Sequence, residues 1–222
     1  MIEKWLSISS DKLLESAWQT LYMIGWSLFF EAVIAIPLAL ILVLTRKGGV
    51  KEHPFLYFIV NSVVNIVRSV PFIILLVFIA PATKMIVGTR IGTTAAIVPL
   101  VCYIAPYLAR LIESSFLEIN ASVVEAAQAM GANTWQIVRY FLFPEAKASL
   151  ILAFTTGTIG LLGATAMAGT IGGGGVGDFA ITYGYQRFNS LLMLVTVVVL
   201  IVIVQLIQTL ENYLAARIRQ DF

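Results

Sequence analysis

The chain has 222 residues, of which 59% are apolar and 12% are charged, roughly half the charged fraction of a typical soluble protein. This composition excludes an ordinary soluble domain, and a net charge of +2 is too small to indicate a nucleic-acid-binding protein. The single cysteine, Cys102, excludes an internal disulfide, and the lone histidine, His53, does not predict a metal site.

Five segments are long and apolar enough to cross a bilayer, whose hydrocarbon core of about 30 Å requires about 20 helical residues. Only helices fit, because each segment must satisfy its own backbone hydrogen bonds in lipid. The sequence therefore predicts an all-α integral membrane protein with five transmembrane helices in a single domain, residues 1–222. In chain order the predicted spans are Thr20–Leu44, a segment within Phe55–Pro81, Gly92–Ile112, Leu150–Ile171 and Ser190–Leu210.

The lysines and arginines of the short loops predict the orientation, since cytoplasmic loops carry an excess of them. The bias favours an N-terminus outside and a C-terminus in the cytoplasm. This arrangement places the larger group inside, namely Arg46, Lys47, Lys51, Arg110, Arg139, Lys147, Arg217 and Arg219. It also makes residues 113–149 a cytoplasmic loop between the third and fourth spans.

Polar residues interrupt the first two spans. Asn61, Asn65 and Arg68 recur at intervals of four and three residues, so they form one polar stripe on a helix. Polar groups in a membrane usually face a bundle interior or an aqueous path. The stripe therefore lines a translocation path or gate, or it makes hydrogen bonds between helices while Arg68 reaches toward the cytoplasmic interface. Glu31 in the first span is expected to pair with a neighbouring helix.

The long loop carries signals for two short helices around a glycine. Ser122 and Glu125 have the spacing of a capping box, which predicts that a helix starts there and runs over Val123–Met130. Gly131 stands where a helix often ends in a left-handed residue. The loop is thus predicted to be an ordered helical hairpin.

The second helix of this hairpin is predicted over Thr134–Phe143. Asn133 and Gln136 can start it, and Pro144 is expected to end it. Its predicted apolar face holds Trp135, Val138 and Leu142. Such a hairpin either packs beneath the membrane helices or docks into a partner protein.

The fourth span ends in a glycine-rich stretch. Residues 172–177, GGGGVG, match the spacing of a dinucleotide-binding loop but follow a membrane helix rather than a strand, so they do not predict a nucleotide site. They indicate a close passage of backbone or a flexible loop. Met167, between two alanines, predicts a narrow gate at a dimer axis, or a helix contact through small residues. The sequence lacks a Gly-Lys-Ser/Thr phosphate-binding loop, so ATP hydrolysis by the chain itself is not expected.

The loop resembles the signature of permease subunits of ATP-binding-cassette (ABC) importers. The matching residues are Glu125, Ala126, Ala127, Gly131 and Pro144, while Phe141 and Phe143 stand where that family usually has Ile and Leu. Three further regions resemble the methionine-importer permeases: residues 65–81 (NIVRSVPFIILLVFIAP), the surroundings of Ile91–Pro99, and residues 166–188 (AMAGTIGGGGVGDFAITYGYQRF).

The resemblance implies a type I ABC importer permease fold in which residues 113–149 are the coupling hairpin. In that hairpin it assigns contact with an ATPase subunit to Glu125, Ala126, Ala127, Met130, Gly131, Ala132 and Pro144. It implies a homodimer in the bacterial inner membrane with two cytoplasmic ATPase subunits and an external methionine-binding lipoprotein. The subunit would translocate methionine by alternating access, with no catalytic residues, cofactor, metal or nucleic acid of its own.

Two alternatives remain at this point. The first is an ABC permease for another amino acid or small solute. The second is a stand-alone ion-driven carrier that uses Glu31 and Arg68. Carriers of that kind often contain inverted repeats and broken helices, and the sequence indicates neither.

Overall fold

The computed structural model describes residues 10–220, which contain helices of several kinds and no strand. Residues 1–9 and 221–222 lie outside this range. The predicted sides of the N-terminus and the C-terminus therefore concern residues that the structure does not describe. The helices are α1 (Ser10–Thr45), α2 (Pro54–Ser69), α3 (Phe72–Val87), α4 (Thr93–Leu117), α5 (Ala121–Ala129), α6 (Thr134–Ile137), α7 (Phe143–Ala168), α8 (Gly175–Phe179) and α9 (Ser190–Gln220). A π-turn at Val138–Leu142 joins α6 to α7, a 3-10 turn at Gly169–Ile171 follows α7, and a second π-turn at Ala180–Tyr185 follows α8.

The membrane spans agree with the predicted fold class. Within residues 10–220, four helical runs are long and apolar enough to cross a membrane, and the bent pair α2–α3 makes a fifth when counted as one span. The last of the four, Ser190–Leu210, has the predicted bounds, whereas the first begins at Asp11, nine residues before the predicted Thr20. The all-α, five-span prediction is confirmed.

The second span is not the single helix that was predicted within Phe55–Pro81. The helix is interrupted between α2 and α3, which together pass the length and composition test for one span. Pro71 precedes α3 in an extended conformation, with φ −57° and ψ 138°. A residue before proline avoids the helical region, so the chain leaves the helix at Val70 and restarts at Phe72. The sequence indicated no broken helix, and this was one argument against an ion-driven carrier. The structure does contain a broken helix, so that argument no longer holds.

Pro144 also behaves differently from the prediction. It does not end the second loop helix but lies in the first turn of α7, within a helical run that extends from Thr134 to Ile171. A proline inside a helix removes one hydrogen bond and collides with the carbonyl four residues earlier. The π-turn before it shifts this pairing, since the Phe143 N–H donates to the Val138 carbonyl five residues back. The loop therefore continues directly into the fourth span.

The described residues fall into two compact units, each built from three separate segments. Within the described residues, unit 1 comprises residues 10–31, Val70–Ile104 and Thr158–Gln208, and unit 2 comprises Ala32–Ser69, Ala105–Gly157 and residues 209–220. Side chains at the centre of unit 1 include Met23, Leu100 and Leu161, and those of unit 2 include Leu42, Leu108, Ile112 and Ile137, all fully buried. The single domain over residues 1–222 remains a prediction.

A glycine hairpin, residues 166–185, reverses the chain in unit 1 between α7 and α8. A Cβ added at Gly169 would lie 2.6 Å from the backbone nitrogen of Asp178, so α8 packs directly on the end of α7. The chain reverses through Gly172 and Gly174, whose φ angles are +76° and +73°. The predicted close passage of backbone is confirmed.

Two side chains of α1 hold this hairpin at the start of α8. The Gly175 N–H donates to Gln19 Oε1 at 2.8 Å, and the Val176 N–H donates to Thr20 Oγ1 at 2.9 Å. These are amides of the first helical turn, which have no partner within the helix itself. The hairpin is thus fixed by hydrogen bonds to a helix 156 residues earlier in the chain.

Candidate functional site

The first loop helix, α5, starts two residues earlier than predicted. Asn120 is its cap and accepts a hydrogen bond from the Ser122 N–H at 3.0 Å. The predicted cap at Ser122 with Glu125 is therefore wrong, because the asparagine just upstream already satisfies the free amide of the first turn. Glu125 is left exposed on the helix surface.

The glycine turn at the end of α5 has the predicted conformation. Gly131 has a φ of +80°, and its N–H donates to the Gln128 carbonyl at 2.9 Å. The Ala132 N–H donates to the Ala127 carbonyl at 3.0 Å, which completes a Schellman motif. No atom lies within 4 Å of a Cβ added at Gly131, so the need for glycine comes from backbone geometry alone.

The second loop helix begins as predicted, but a different face is buried. Asn133 and Gln136 form a reciprocal capping box, with bonds of 2.8 and 3.0 Å. Trp135 is 67% exposed, whereas Ile137 is fully buried beside the buried Val138 and Leu142. The prediction is therefore wrong for Trp135, because Ile137 is the residue of α6 that is buried with Val138 and Leu142.

The signature residues divide into two groups by exposure. Glu125, Ala126, Gly131 and Met130 are exposed, Met130 to 72%. Ala127 is fully buried, and Ala132 and Pro144 are half-buried. These residues therefore present one carboxylate, a methionine and small residues to their surroundings, while Ala127 is packed inside unit 2.

A polar seam joins α2 to α4 within unit 2. Arg110 is its centre: Nη2 donates to Asn65 Oδ1 at 3.0 Å and to Asn61 Oδ1, and Nη1 contacts Glu113 Oε2 at 2.6 Å. The Arg68 guanidinium lies 5.8 Å from the centre of the Tyr107 ring. Asn61, earlier on α2, contacts Arg110, whereas Arg68, later on α2, contacts Tyr107, which is earlier on α4. The two helices therefore run antiparallel. The seam consists of Asn61, Asn65, Arg68, Tyr107, Arg110 and Glu113.

Arg110 is the member of this seam that sequence reasoning missed. Asn61 and Asn65 make the interhelical hydrogen bonds that were one of their two predicted interpretations, and the donor to both is Arg110. The signal was present, because Arg110 is the one charge in the predicted third span and Glu113 follows three residues later. Glu113 is 5% exposed, so this carboxylate depends on the arginine.

Glu31 does not have the predicted partner. It is fully buried, and neither carboxylate oxygen is hydrogen-bonded to any described residue. The Ser27 hydroxyl, one turn earlier on α1, is also without a partner in this part of the chain. Met167 is 52% exposed on the last turn of α7, and its role as a gate residue stays a prediction. Residues 10–220 contain no group of three His, Cys, Asp or Glu side chains able to hold a metal.

Comparison with known proteins defines the class. Residues 35–220 match the family described as "Binding-protein-dependent transport system inner membrane component". The chain belongs to this family and is therefore a multi-pass inner membrane permease component.

Relatives within the family carry more specific descriptions. The chain is 49% identical over 217 residues to the "Probable D-methionine transport system permease protein MetI" of Vibrio cholerae serotype O1, covering 98% of this chain and 96% of the relative. It is 48% identical over 157 residues to the D-methionine transport system permease protein MetI of Escherichia coli K12, covering 71% and 72%. A chain of the inward-facing MetNI methionine ABC transporter has the same fold, with a TM-score of 0.92 and 42% identity over 95% of this chain and 99% of that one.

Proposed function

We propose that this chain is the membrane-spanning permease subunit of an ATP-driven importer that translocates methionine by alternating access. The observation that carries the proposal is the ordered loop of residues 113–149, which joins two spans and presents a fixed surface. The likeness to methionine permeases over nearly the whole chain supports the substrate. The proposed assembly is a homodimer in the inner membrane with two ATPase subunits and an external methionine-binding lipoprotein.

The proposed coupling surface is the hairpin of α5 and α6. Glu125, Ala126 and Met130 supply its exposed contacts, and Ala127, Gly131, Ala132 and Pro144 set its shape. A carboxylate, a long apolar side chain and small residues suit a groove on a partner protein, because small residues permit close approach of the two backbones. With the N-terminus outside and the C-terminus inside, as the loop charges predict, this hairpin faces the cytoplasmic ATPase.

The polar seam supplies a route for movement within unit 2. The loop follows α4 directly, and Arg110 binds α4 to α2 through two amide side chains. Helices in lipid have no hydrophobic driving force between them, so such hydrogen bonds contribute to their pairing. We propose that α2 and α4 move together when the loop moves. Arg68, at the end of the seam, and the exposed Met167 are the proposed pathway or gate residues, with Asn61 and Asn65 supporting the path wall.

Gly131 provides the test of the coupling surface. We expect Gly131→Val to leave a folded dimer that co-purifies poorly with the ATPase and transports little methionine. A β-branched residue at a φ of +80° costs on the order of 1–3 kcal/mol, and the helices relieve the strain by changing their angle. Gly131→Asn is the matched control, since asparagine tolerates this region. Normal co-purification and uptake by the valine variant would show that the loop serves only packing.

Reconstitution tests the function as a whole. The purified chain alone in liposomes is expected neither to hydrolyse ATP nor to accumulate methionine, since its sequence lacks a phosphate-binding loop. Addition of the ATPase and the binding protein should restore ATP-dependent uptake. Ion-driven uptake by the chain alone would support the carrier alternative, and ATP-dependent uptake of a different solute in preference to methionine would support a permease of other specificity.

A further inference from the structure

The aromatic turn, residues 183–189, joins the second π-turn to α9 and holds a residue in a conformation that normally belongs to glycine. Phe188 has a φ of +52° and is the one residue other than glycine with a positive φ in the described part of the chain. The Asn189 N–H donates to the Gly184 carbonyl at 2.9 Å, and the Phe188 N–H donates to the Tyr185 carbonyl at 3.1 Å. These two bonds form the same Schellman motif as at the end of α5, where glycine is the usual residue.

The Phe188 ring makes little contact with its own subunit. It is 92% exposed, and the neighbouring Tyr185 is 70% exposed. A bulky residue at positive φ is an outlier, and strain of this kind clusters at functional sites. The two hydrogen bonds of the turn use backbone atoms alone, so glycine or asparagine would form them with less strain. The benefit of an aromatic ring at this position therefore comes from a partner outside the subunit.

A fixed positive charge stands beside this ring. The Arg187 guanidinium lies 4.7 Å from the centre of the Tyr183 ring, and the Lys12 ammonium lies 5.6 Å from the same centre. Such cation–π contacts orient a cation without neutralising it. Arg187 is exposed and forms no ion pair with any described residue, and Asp178 on α8 accepts a hydrogen bond from Thr182 instead. The guanidinium is thus available to a carboxylate of a partner.

The order of the spans gives the side of the membrane on which the aromatic turn lies. Residues 172–189 separate the candidate span Thr134–Ile171 from the candidate span Ser190–Leu210. A chain that crosses the bilayer once between two loops leaves them on opposite sides. If the coupling hairpin faces the cytoplasmic ATPase, as proposed above, the aromatic turn lies outside, on the side of the methionine-binding lipoprotein.

We propose that the aromatic turn docks the external methionine-binding protein, with the Phe188 ring in an apolar pocket of that protein and Arg187 on a carboxylate at the rim of the pocket. Aromatic side chains and arginine supply most of the binding energy at the centres of protein interfaces. The inference rests on the proposed function and adds contact residues to it.

The membrane surface is the competing partner for an exposed aromatic ring beside a cation. A fluid lipid surface gains from buried apolar area at any nearby position, so a phenylalanine at an unstrained position of the same turn would serve it equally well. Only a shaped pocket requires the ring at one fixed point, which accounts for the strain at Phe188. The protein partner is therefore preferred.

Phe188→Asn tests the proposal, because asparagine tolerates positive φ and lacks the ring. The variant is prepared as the complex with the ATPase in lipid nanodiscs, and its affinity for the methionine-binding protein is measured by biolayer interferometry. We expect the affinity to fall at least about tenfold, as for loss of a central aromatic contact. The melting temperature of the complex should stay the same or rise by up to about 4 °C, since the strain is relieved.

Two further variants are controls for the chemistry of the contact. Phe188→Tyr keeps a ring at the same position and should retain most of the affinity. Arg187→Gln should lower the affinity severalfold and make it less sensitive to salt, because the charge that it removes is solvent-exposed. Phe188→Asn should still co-purify with the ATPase at the level of the unaltered chain.

Three results would overturn the proposal. The first is full affinity of Phe188→Asn for the binding protein, and the second is a loss of affinity that accompanies an equal loss of stability. The third concerns Phe188→Trp, whose added fluorescence is obtained by difference from the unaltered complex. Quenching of this signal by brominated lipid, unchanged when the binding protein is added, would place the ring in the membrane.

The unaltered complex separates failure of this inference from failure of the proposed function. If it neither binds the methionine-binding protein nor takes up methionine, both are wrong. If it does both, and Phe188→Asn binds equally well, only the role of the aromatic turn is wrong.

Discussion

Replacing Arg110 by methionine is expected to destabilise the protein more than any other single change in the polar seam. The variant leaves the buried Glu113 without its cation and the amide oxygens of Asn61 and Asn65 without their donor. Breaking a buried ion pair by removing one partner costs about 3–5 kcal/mol. For a chain of this size that predicts a fall in melting temperature of about 10 °C, measured on the purified complex.

A second substitution separates stability from coupling. Arg110→Met combined with Glu113→Gln removes the uncompensated charge, so most of the lost stability should return. If the seam transmits movement from the loop to α2, methionine uptake should nevertheless remain at least about tenfold below that of the unaltered complex. If the double variant recovers both stability and uptake, the seam serves only packing. If Arg110→Met alone is as stable as the unaltered complex, the seam does not contribute to stability.

Gly177→Ala is the second change with a large expected effect. The added Cβ would lie 2.7 Å from the Cβ of Ala166 and 2.9 Å from its carbonyl oxygen, so α8 could no longer rest on the end of α7. Overpacking of this kind costs about 1–3 kcal/mol and more where backbone must move. We expect a lower melting temperature and loss of the amide bonds to Gln19 and Thr20, detected as faster hydrogen exchange at Gly175 and Val176.

Gly163→Ala is the matched control for this prediction. Gly163 lies in α7 of the same unit, and no atom lies within 4 Å of a Cβ added there. Alanine in a helix interior is about 0.5–1 kcal/mol better than glycine, so this variant should be neutral or slightly more stable. Equal effects of the two substitutions would show that the hairpin does not depend on close backbone contact.

Local signals in the sequence predicted part of the loop. The left-handed Gly131 and the capping box of Asn133 with Gln136 depend on residues at most a few positions apart and are confirmed, whereas the capping box read from the same spacing at Ser122 and Glu125 is wrong. Proline was harder to interpret. Pro71 separates two helices, whereas Pro144 lies inside a helical run, directly after a π-turn for which the sequence has no simple signal.

Interactions between distant parts of the chain could not be predicted in the same way. The polarity of Asn61 and Asn65 indicated a partner, but Arg110 is 45 residues beyond Asn65, and only the antiparallel pairing of α2 and α4 brings them together. Glu31 shows the opposite case. The charge of Glu31 predicted a partner on a neighbouring helix. The structure buries this side chain with no hydrogen-bond partner among the described residues, and a single sequence does not reveal the packing that buries it.

The glycine hairpin also constrains the order in which the protein is made. Gln19 and Thr20 leave the ribosome 156 residues before the amides they will bind. At about 5–20 residues per second, translation leaves these two side chains without that partner for about 8–30 s. During this interval α1 is already long enough to reside in the bilayer. The first helix to enter the membrane therefore forms these two hydrogen bonds late in synthesis. A ribosome that pauses within residues 20–174 leaves a nascent chain in which the glycine hairpin of unit 1 cannot yet form.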